Sequence, residues 1–483
     1  MSEINQEHGC PEYLELSRRG FLRFTGVSAA AAAVLSSAPA WLPRVAFAGT
    51  PPTGPRDVVV QIFLRGAADG LSMIVPFNDP AYTAATCRPT LRVYAPDDMT
   101  QPVGRRAIAL ANSHIVGGSS SFDFGLHPTM QGLVPAYLDG KLLLMQAAGL
   151  TSTNKSHFDA QRWMENGQPQ SNSLLTGWLG RHLASIPPVN PNSAIRALGV
   201  ADGLQRTLIG APQALPVPNF SSNPGNVPLL NNLAAPSPTN LSGYGLSGNA
   251  STSALRSGIL NAVYDQSGGD LTDSTNNTLN TITRLNQIGA PGYAPAGGAV
   301  YPSSTLGYAL RSSAALINAN DDAQVNQFVE AIAIDVSTWD THSAQYAFNA
   351  TTGVFTGSMV TRMVELANAL GAFYQDLIFT RGKRVTVVVM SEFGRRIGEN
   401  GTTGTDHGYG NMMMVLGTGV IGGRVLATWN GLPTGIPATN LDVPVTTDIR
   451  NVLAEIVSKR LQNGAGLASI FPGFTPNFLN VVT

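Results

Sequence analysis

Short, uninterrupted runs of β-branched and aliphatic residues recur along this chain, and most of them stop at a loop carrying an acid or a histidine. DVVVQIFL at 57–64 has the pattern of a strand buried on both faces and ends in RGAADGLSMIVPF, a loop that contains Asp69. KLLLMQAAG at 141–149 leads into LTSTNKSHFDAQRWMENG, where Ser156 is placed to cap a helix running to Gly167. FVEAIAIDVSTWDTH at 328–342 ends in Trp339-Asp340-Thr341-His342. VTVVVM at 385–390 runs into Ser391-Glu392 and, through a glycine-rich loop, reaches Asp406-His407, after which NMMMVLG at 411–417 reads as a further strand.

Helical patterns lie between these runs. HPTMQGLVPAYLDGK at 127–141 reads as a helix closing at Gly140, and 253–290 and 305–332 look helical. Met359, Met363, Leu366, Leu370, Phe373 and Leu377 fall near helical spacing, an amphipathic stripe that belongs to the core. TTDIRNVLAEIVSKRL at 446–461 reads as a C-terminal helix. Alternation of strand and helix predicts an α/β fold, a mostly parallel central sheet covered by helices on both faces, with ligands beyond the carboxyl ends of the strands.

At 483 residues the chain can bury a full core in one large domain or two ordinary ones. Hydrophobic residues at 43% and a mean hydropathy of +0.06 indicate a globular protein. Charged residues are 12%, about half the usual quarter. The formal charge is −1 and no basic run lies beyond the N-terminus, which argues against a nucleic-acid partner. Residues 203–255, rich in Pro, Asn and Ser, read as a loop-like insertion or cap within a single domain spanning 49–483.

The N-terminus reads as an export signal. Arg18-Arg19 followed by Phe21-Leu22 resembles the twin-arginine (Tat) motif, an alanine-rich apolar stretch follows, and Ala46-Phe47-Ala48 is a small-x-small cleavage site. The expectation is a signal over 1–48, handled by the Tat export machinery and cleaved near Ala48. It leaves no stable membrane anchor and a mature protein in the periplasm or outside the cell. Cys10 departs with the signal, so Cys87 is left without an intramolecular disulfide partner. CRPTLR at 87–92 departs from the sulfatase signature C-x-P-S-R, since the arginine is one residue too far and the fourth residue is Thr.

Asp69, Asp340, His342 and Glu392 all follow expected strands, on the edge where loops gather. Asp340 and His342, two apart, point to the same side of an extended backbone, which suits two ligands on one ion. Carboxylate and imidazole suit zinc or manganese. Each residue also has an ordinary role open to it: Asp69 as a helix cap or turn former, Glu392 as a partner of Arg395 or Arg396, His342 as a histidine at the sheet edge, Asp406 as a turn residue.

RGAADGL, FGLHPTM, NKSHFDAQ, GWLGR, WDTH, MSEFGR and GTDHGYGN, in that order, resemble a Tat-exported bacterial family of unknown function, DUF1501, grouped with the alkaline-phosphatase-like superfamily. The resemblance covers most of 57–461. It implies an alkaline-phosphatase-like three-layer sandwich with two divalent metal ions at the carboxyl edge, zinc first, with manganese, magnesium or calcium as alternatives. Asp69 then corresponds to the early ligand, and Asp340 with His342 to the later pair. Either Glu392 takes the acid of the superfamily's Asp-His dipeptide, with Phe393 in the histidine's place and His407 as final histidine, or Asp406-His407 is itself the dipeptide. Ser156, at a helix start, corresponds to the nucleophile, although a serine there is equally an ordinary N-cap. His157 is assigned a leaving oxygen or a ligand, and Arg65 or Arg395 the clamping of oxyanion charge. His127 is a secondary candidate. The implied activity is hydrolysis of an anionic phosphate or sulfate ester. The alternative is a non-catalytic secreted binding or assembly protein that retains the fold.

Overall fold

Strand β1 (Val58–Leu64) is buried along its whole length, as its unbroken apolar run requires. A computed structural model describes residues 55–217 and 293–483, apart from 113–114, 117–121, 153, 192, 194, 201–203, 324, 326–327 and 436. The expected signal over 1–48, the helical reading of 253–290 and most of the 203–255 insertion lie outside the described residues.

The other strands of the central sheet are β2 (Ile115–Val116), β3 (Leu142–Gly149), β4 (Ala197–Val200), β5 (Ala214–Val217), β6 (Ala331–Val336), β7 (Val385–Ser391), β8 (Asn411–Gly417), β9 (Arg424–Leu426) and β10 (Thr447–Asp448). Their order is β2-β9-β3-β8-β7-β1-β6-β4-β5, with β10 also paired to β3. Pairing is parallel except where β8 runs antiparallel between β7 and β3. The protein is thus α/β with a mixed, mostly parallel sheet.

Alternation along the strands separates two cores. Val60, Ile62 and Leu64 of β1, with Val387 and Val389 of β7, pack into the cluster that contains helices α3 (Thr305–Ala319) and α4 (Ser358–Phe373). Val59 and Phe63, with Val388 and Met390, pack on the opposite side with α1 (His157–Asn166), α2 (Trp178–Ala184) and α5 (Ile449–Lys459). Helices therefore cover both faces. Each fully buried aliphatic side chain contributes about 1.5–3 kcal/mol relative to exposure.

Local differences from expectation have identifiable causes. The helix expected over 127–141 is reduced to a 3₁₀ turn at Gln131–Leu133 and a short helix at Val134–Leu138, in a segment where Pro128 and Pro135 remove backbone donors. Gly140 closes it in the left-handed conformation at φ 65°. The stretch 305–332 is helical only to Ala319, and its last residues begin β6. Within the segment read as an insertion, Ala214–Val217 is an edge strand pairing in parallel with β4, a place where Pro216 is tolerated. No helix among the described residues is long and apolar enough to cross a membrane.

Candidate metal centre

Register brings three loops together. Leu64 of β1 lies opposite both Val336 of β6 and Ser391 of β7, so the chain leaves all three strands at one level. The antiparallel β8 begins at the same edge, and Asn411 pairs with Ala148 near the end of β3, just before α1. Loops from five strands converge there.

Arg395 ties these loops. Its Nε donates to the Ala67 carbonyl (2.6 Å), Nη1 to Thr405 (2.7 Å), and Nη2 to Gly66 (2.6 Å), Trp339 (3.2 Å) and the Asp340 carboxylate (2.8 Å). Close backbone approach follows. Gly66, at φ +118°, leaves no room for a Cβ, which would lie 2.5 Å from the Asp340 nitrogen. Thr338, a β-branched residue at φ 72°, holds an uncommon left-handed conformation two residues before Asp340.

Four side chains meet above this base. His157 at the start of α1, Asp340, and His407 each present one ligand atom, all within 4.8 Å of one another. His342 joins them: its Nε2 lies 2.9 Å from His407 Nε2 and 3.1 Å from Asp340 Oδ1. His157 Nε2 lies 3.0 Å from His407 Nε2 and 3.7 Å from Asp340 Oδ2.

The hydrogen bonds behind the rings give these distances meaning. His157 Nδ1 donates to Glu392 Oε1 at 2.8 Å, and His342 Nδ1 to Asp406 Oδ1 at 3.3 Å. An ionised carboxylate only accepts, so in the neutral tautomer that satisfies it each ring carries its proton on Nδ1 and turns the Nε2 lone pair inward. His407 Nε2 faces both. In a neutral ring it can donate to one of them at most, and three ring nitrogens beside a carboxylate make a donor set that suits a divalent cation. Burial lowers the His407 pKa to about 4 despite its bond to Asp340, which keeps the imidazole in the form that ligates.

Glu392 and Asp406, both expected as ligands, are placed one step behind the rings. Burial alone would raise the Glu392 carboxyl, but the hydrogen bonds from His157 and from Gln161 (2.9 Å) keep it below its ordinary value. The Gly66 N–H also donates to its Oε1 (2.8 Å). Asp406 is likewise lowered, burial being outweighed by Asn400 and His342.

Asp69 requires a correction. The expected early ligand is enclosed elsewhere, its oxygens taken by Arg88 Nη1 (2.6 Å) and Nη2 (3.1 Å), the Ser72 hydroxyl (2.7 Å) and Gln345 Nε2 (2.8 Å). Burial opposes its ionisation, yet Arg88 keeps its pKa below the ordinary value. Arg395 is corrected too: it is 1% exposed and its donors serve the protein's own carbonyls and Asp340, which leaves it unsuited to clamping a substrate oxyanion. His127 lies in the core against Tyr346 and Phe355.

Ser156 stands at the N-cap of α1, directly before His157, and its side chain makes no capping hydrogen bond. Asn154 Oδ1 instead accepts from the Ser156 N–H at 2.7 Å. The residue that sequence reasoning missed is Gln161. Its signal is spacing, since it follows His157 by four residues and so shares its face of the helix.

Residues 323–457 match the model of a family described as Protein of unknown function (DUF1501). The match supports the DUF1501 family. The matched stretch contains Asp340, His342, Glu392, Arg395, Asp406 and His407, while Ser156 and His157 lie outside it. A comparison with curated proteins finds no match.

Proposed function

We propose that the protein is an exported, metal-dependent hydrolase of phosphate or sulfate esters, of alkaline-phosphatase-like fold, working at an ion held by His157, Asp340, His342 and His407. The observation that carries this reading is the convergence of three imidazole Nε2 atoms beside one carboxylate, two of the rings backed by carboxylates of their own. Three nitrogens and one oxygen favour zinc, with manganese, magnesium and calcium as alternatives. An ion held there would supply Lewis-acid stabilisation of charge on an ester oxygen.

The chain's own groups do the rest. Glu392 and Asp406 retain the Nδ1 protons and so keep His157 and His342 in their ligating tautomers. Ser156 is the assigned nucleophile: its hydroxyl is free of a capping role, and the first N–H groups of the ten-residue helix α1 favour an anionic ester beside it. Arg395 holds Asp340 and the three loops in register. The resemblance of Arg18-Arg19 to a Tat motif supports export of the mature protein to the periplasm or outside the cell.

A second reading, a secreted binding or assembly protein, is favoured by one observation: Arg88 occupies Asp69, the acid that the family resemblance would make the early metal ligand. Assay of the metal-loaded protein against monoester, diester and sulfate-ester substrates decides between them. Hydrolysis that disappears in Ser156→Ala while the ion stays bound supports the hydrolase. A metal-loaded wild type inert to all three classes favours the binding protein.

A further inference from the structure

A chain of hydrogen bonds continues outward from the metal-binding side chains. Glu392 Oε1, which holds His157, also accepts from Gln161 Nε2 at 2.9 Å. Gln161 Oε1 in turn accepts from Arg65 Nη1 at 3.0 Å. Arg65 is anchored by two acids, Glu165 (3.0 and 3.2 Å) and Asp335 (2.8 Å), and its guanidinium lies 4.7 Å from the Phe63 ring centre.

Chemistry fixes the direction of every link. A guanidinium only donates, so the atom of Gln161 that faces Arg65 is the carbonyl oxygen, and the amide NH₂ is turned to Glu392. The amide N–H of Gln161 and the Nδ1–H of His157 both point at Glu392 Oε1, so the amide fixes the carboxylate oxygen that orients the ring and leaves Nε2 facing the ion site. An amide flipped the other way would set oxygen against carboxylate and nitrogen against guanidinium. Arg65 therefore acts as the element that decides which end of Gln161 meets the site.

We infer that Gln161 and Arg65 are positioning residues for the metal centre, setting the orientation of the Glu392–His157 pair through the amide of Gln161. The inference rests on the metal reading above and extends it to two residues that are not among the proposed ligands. Gln161 is only partly buried on the surface of α1, so a methionine of similar length removes both hydrogen bonds at little cost in packing.

The test uses the full mature protein with cobalt(II) as the probe. Cobalt affinity by chelator competition, the visible spectrum of the cobalt form and the thermal midpoint of the metal-free form are measured for wild type, Gln161→Met and Arg65→Lys. Loss of an orienting partner behind a ligand typically weakens metal binding about 10- to 100-fold. Gln161→Met is expected to lose that much with a shifted spectrum and a nearly unchanged metal-free midpoint. Arg65→Lys, which keeps a donor for the Gln161 oxygen, is expected to fall between it and wild type. A Gln161→Met protein with wild-type cobalt affinity and spectrum overturns this inference alone. A wild type that binds no cobalt overturns the metal reading and this inference with it.

Discussion

Asp340 is held in place by a guanidinium as much as by its own backbone. Arg395 donates to its Oδ1 while anchoring four carbonyls from the loops after β1, β6 and β7, and both partners are largely buried. Removing one partner of a buried pair typically costs about 3–5 kcal/mol. Arg395→Met should therefore lower stability by that order in urea unfolding and weaken metal binding as well, because Asp340 loses its fixed position. Asp69→Asn offers the contrast. It leaves Arg88 short of its charge partner, so stability should also fall by about 3–5 kcal/mol, while metal stoichiometry stays at the wild-type value. An ion lost on Asp69→Asn would mean that this acid is a ligand after all. The sequence showed both acids after strands, but which one meets imidazoles and which meets an arginine depends on Arg88, a residue read only as part of a rejected motif.

At the scale of elements, the strands were legible because burial on both faces forces continuous apolar runs, and β1, β3, β7 and β8 stand where those runs predict. Helix α1 likewise begins after Ser156 and ends at Gly167 in the left-handed conformation. The loops were not legible in the same way. Their shape is set by contacts far apart in sequence, such as the Arg395 bonds and the closeness of Gly404, whose added Cβ would lie 2.2 Å from the His342 carbonyl. The two strands at that side of the sheet, β4 and the edge strand β5, were missed because they are four residues each, too short for periodicity to register. Gly404→Ala should push the loop bearing Asp406 and His407 away from His342 and reduce cobalt affinity at least about 10-fold, with binding by chelator competition as the readout. Affinity unchanged from wild type would show that the loops do not need to meet so closely.

For the whole molecule, acid should be destabilising for reasons that lie partly outside the site. His182 on α2 is buried and its pKa is lowered to about 3, chiefly by burial and further by Arg56 and Arg196. The unfolded value is about 6.5, so between these limits the unfolded chain binds the extra proton and stability rises with pH. Stability should fall as pH drops from about 6.5 towards 3, with a contribution from His182 of about 1.4 kcal/mol per pH unit. His182→Gln should flatten that slope in urea titrations of the metal-free protein. A slope unchanged from wild type would show that His182 does not titrate on unfolding.

The centre itself is tested most directly by metal content. Mass spectrometry of the mature wild type, folded in medium containing divalent metals, should find one bound ion per chain, lost in the double variant Asp340→Ala with His407→Ala, whose circular dichroism remains that of a folded α/β protein. A well-folded wild type without stoichiometric metal, or a double variant that keeps its ion, would contradict the assignment of His157, Asp340, His342 and His407 as a metal-binding set.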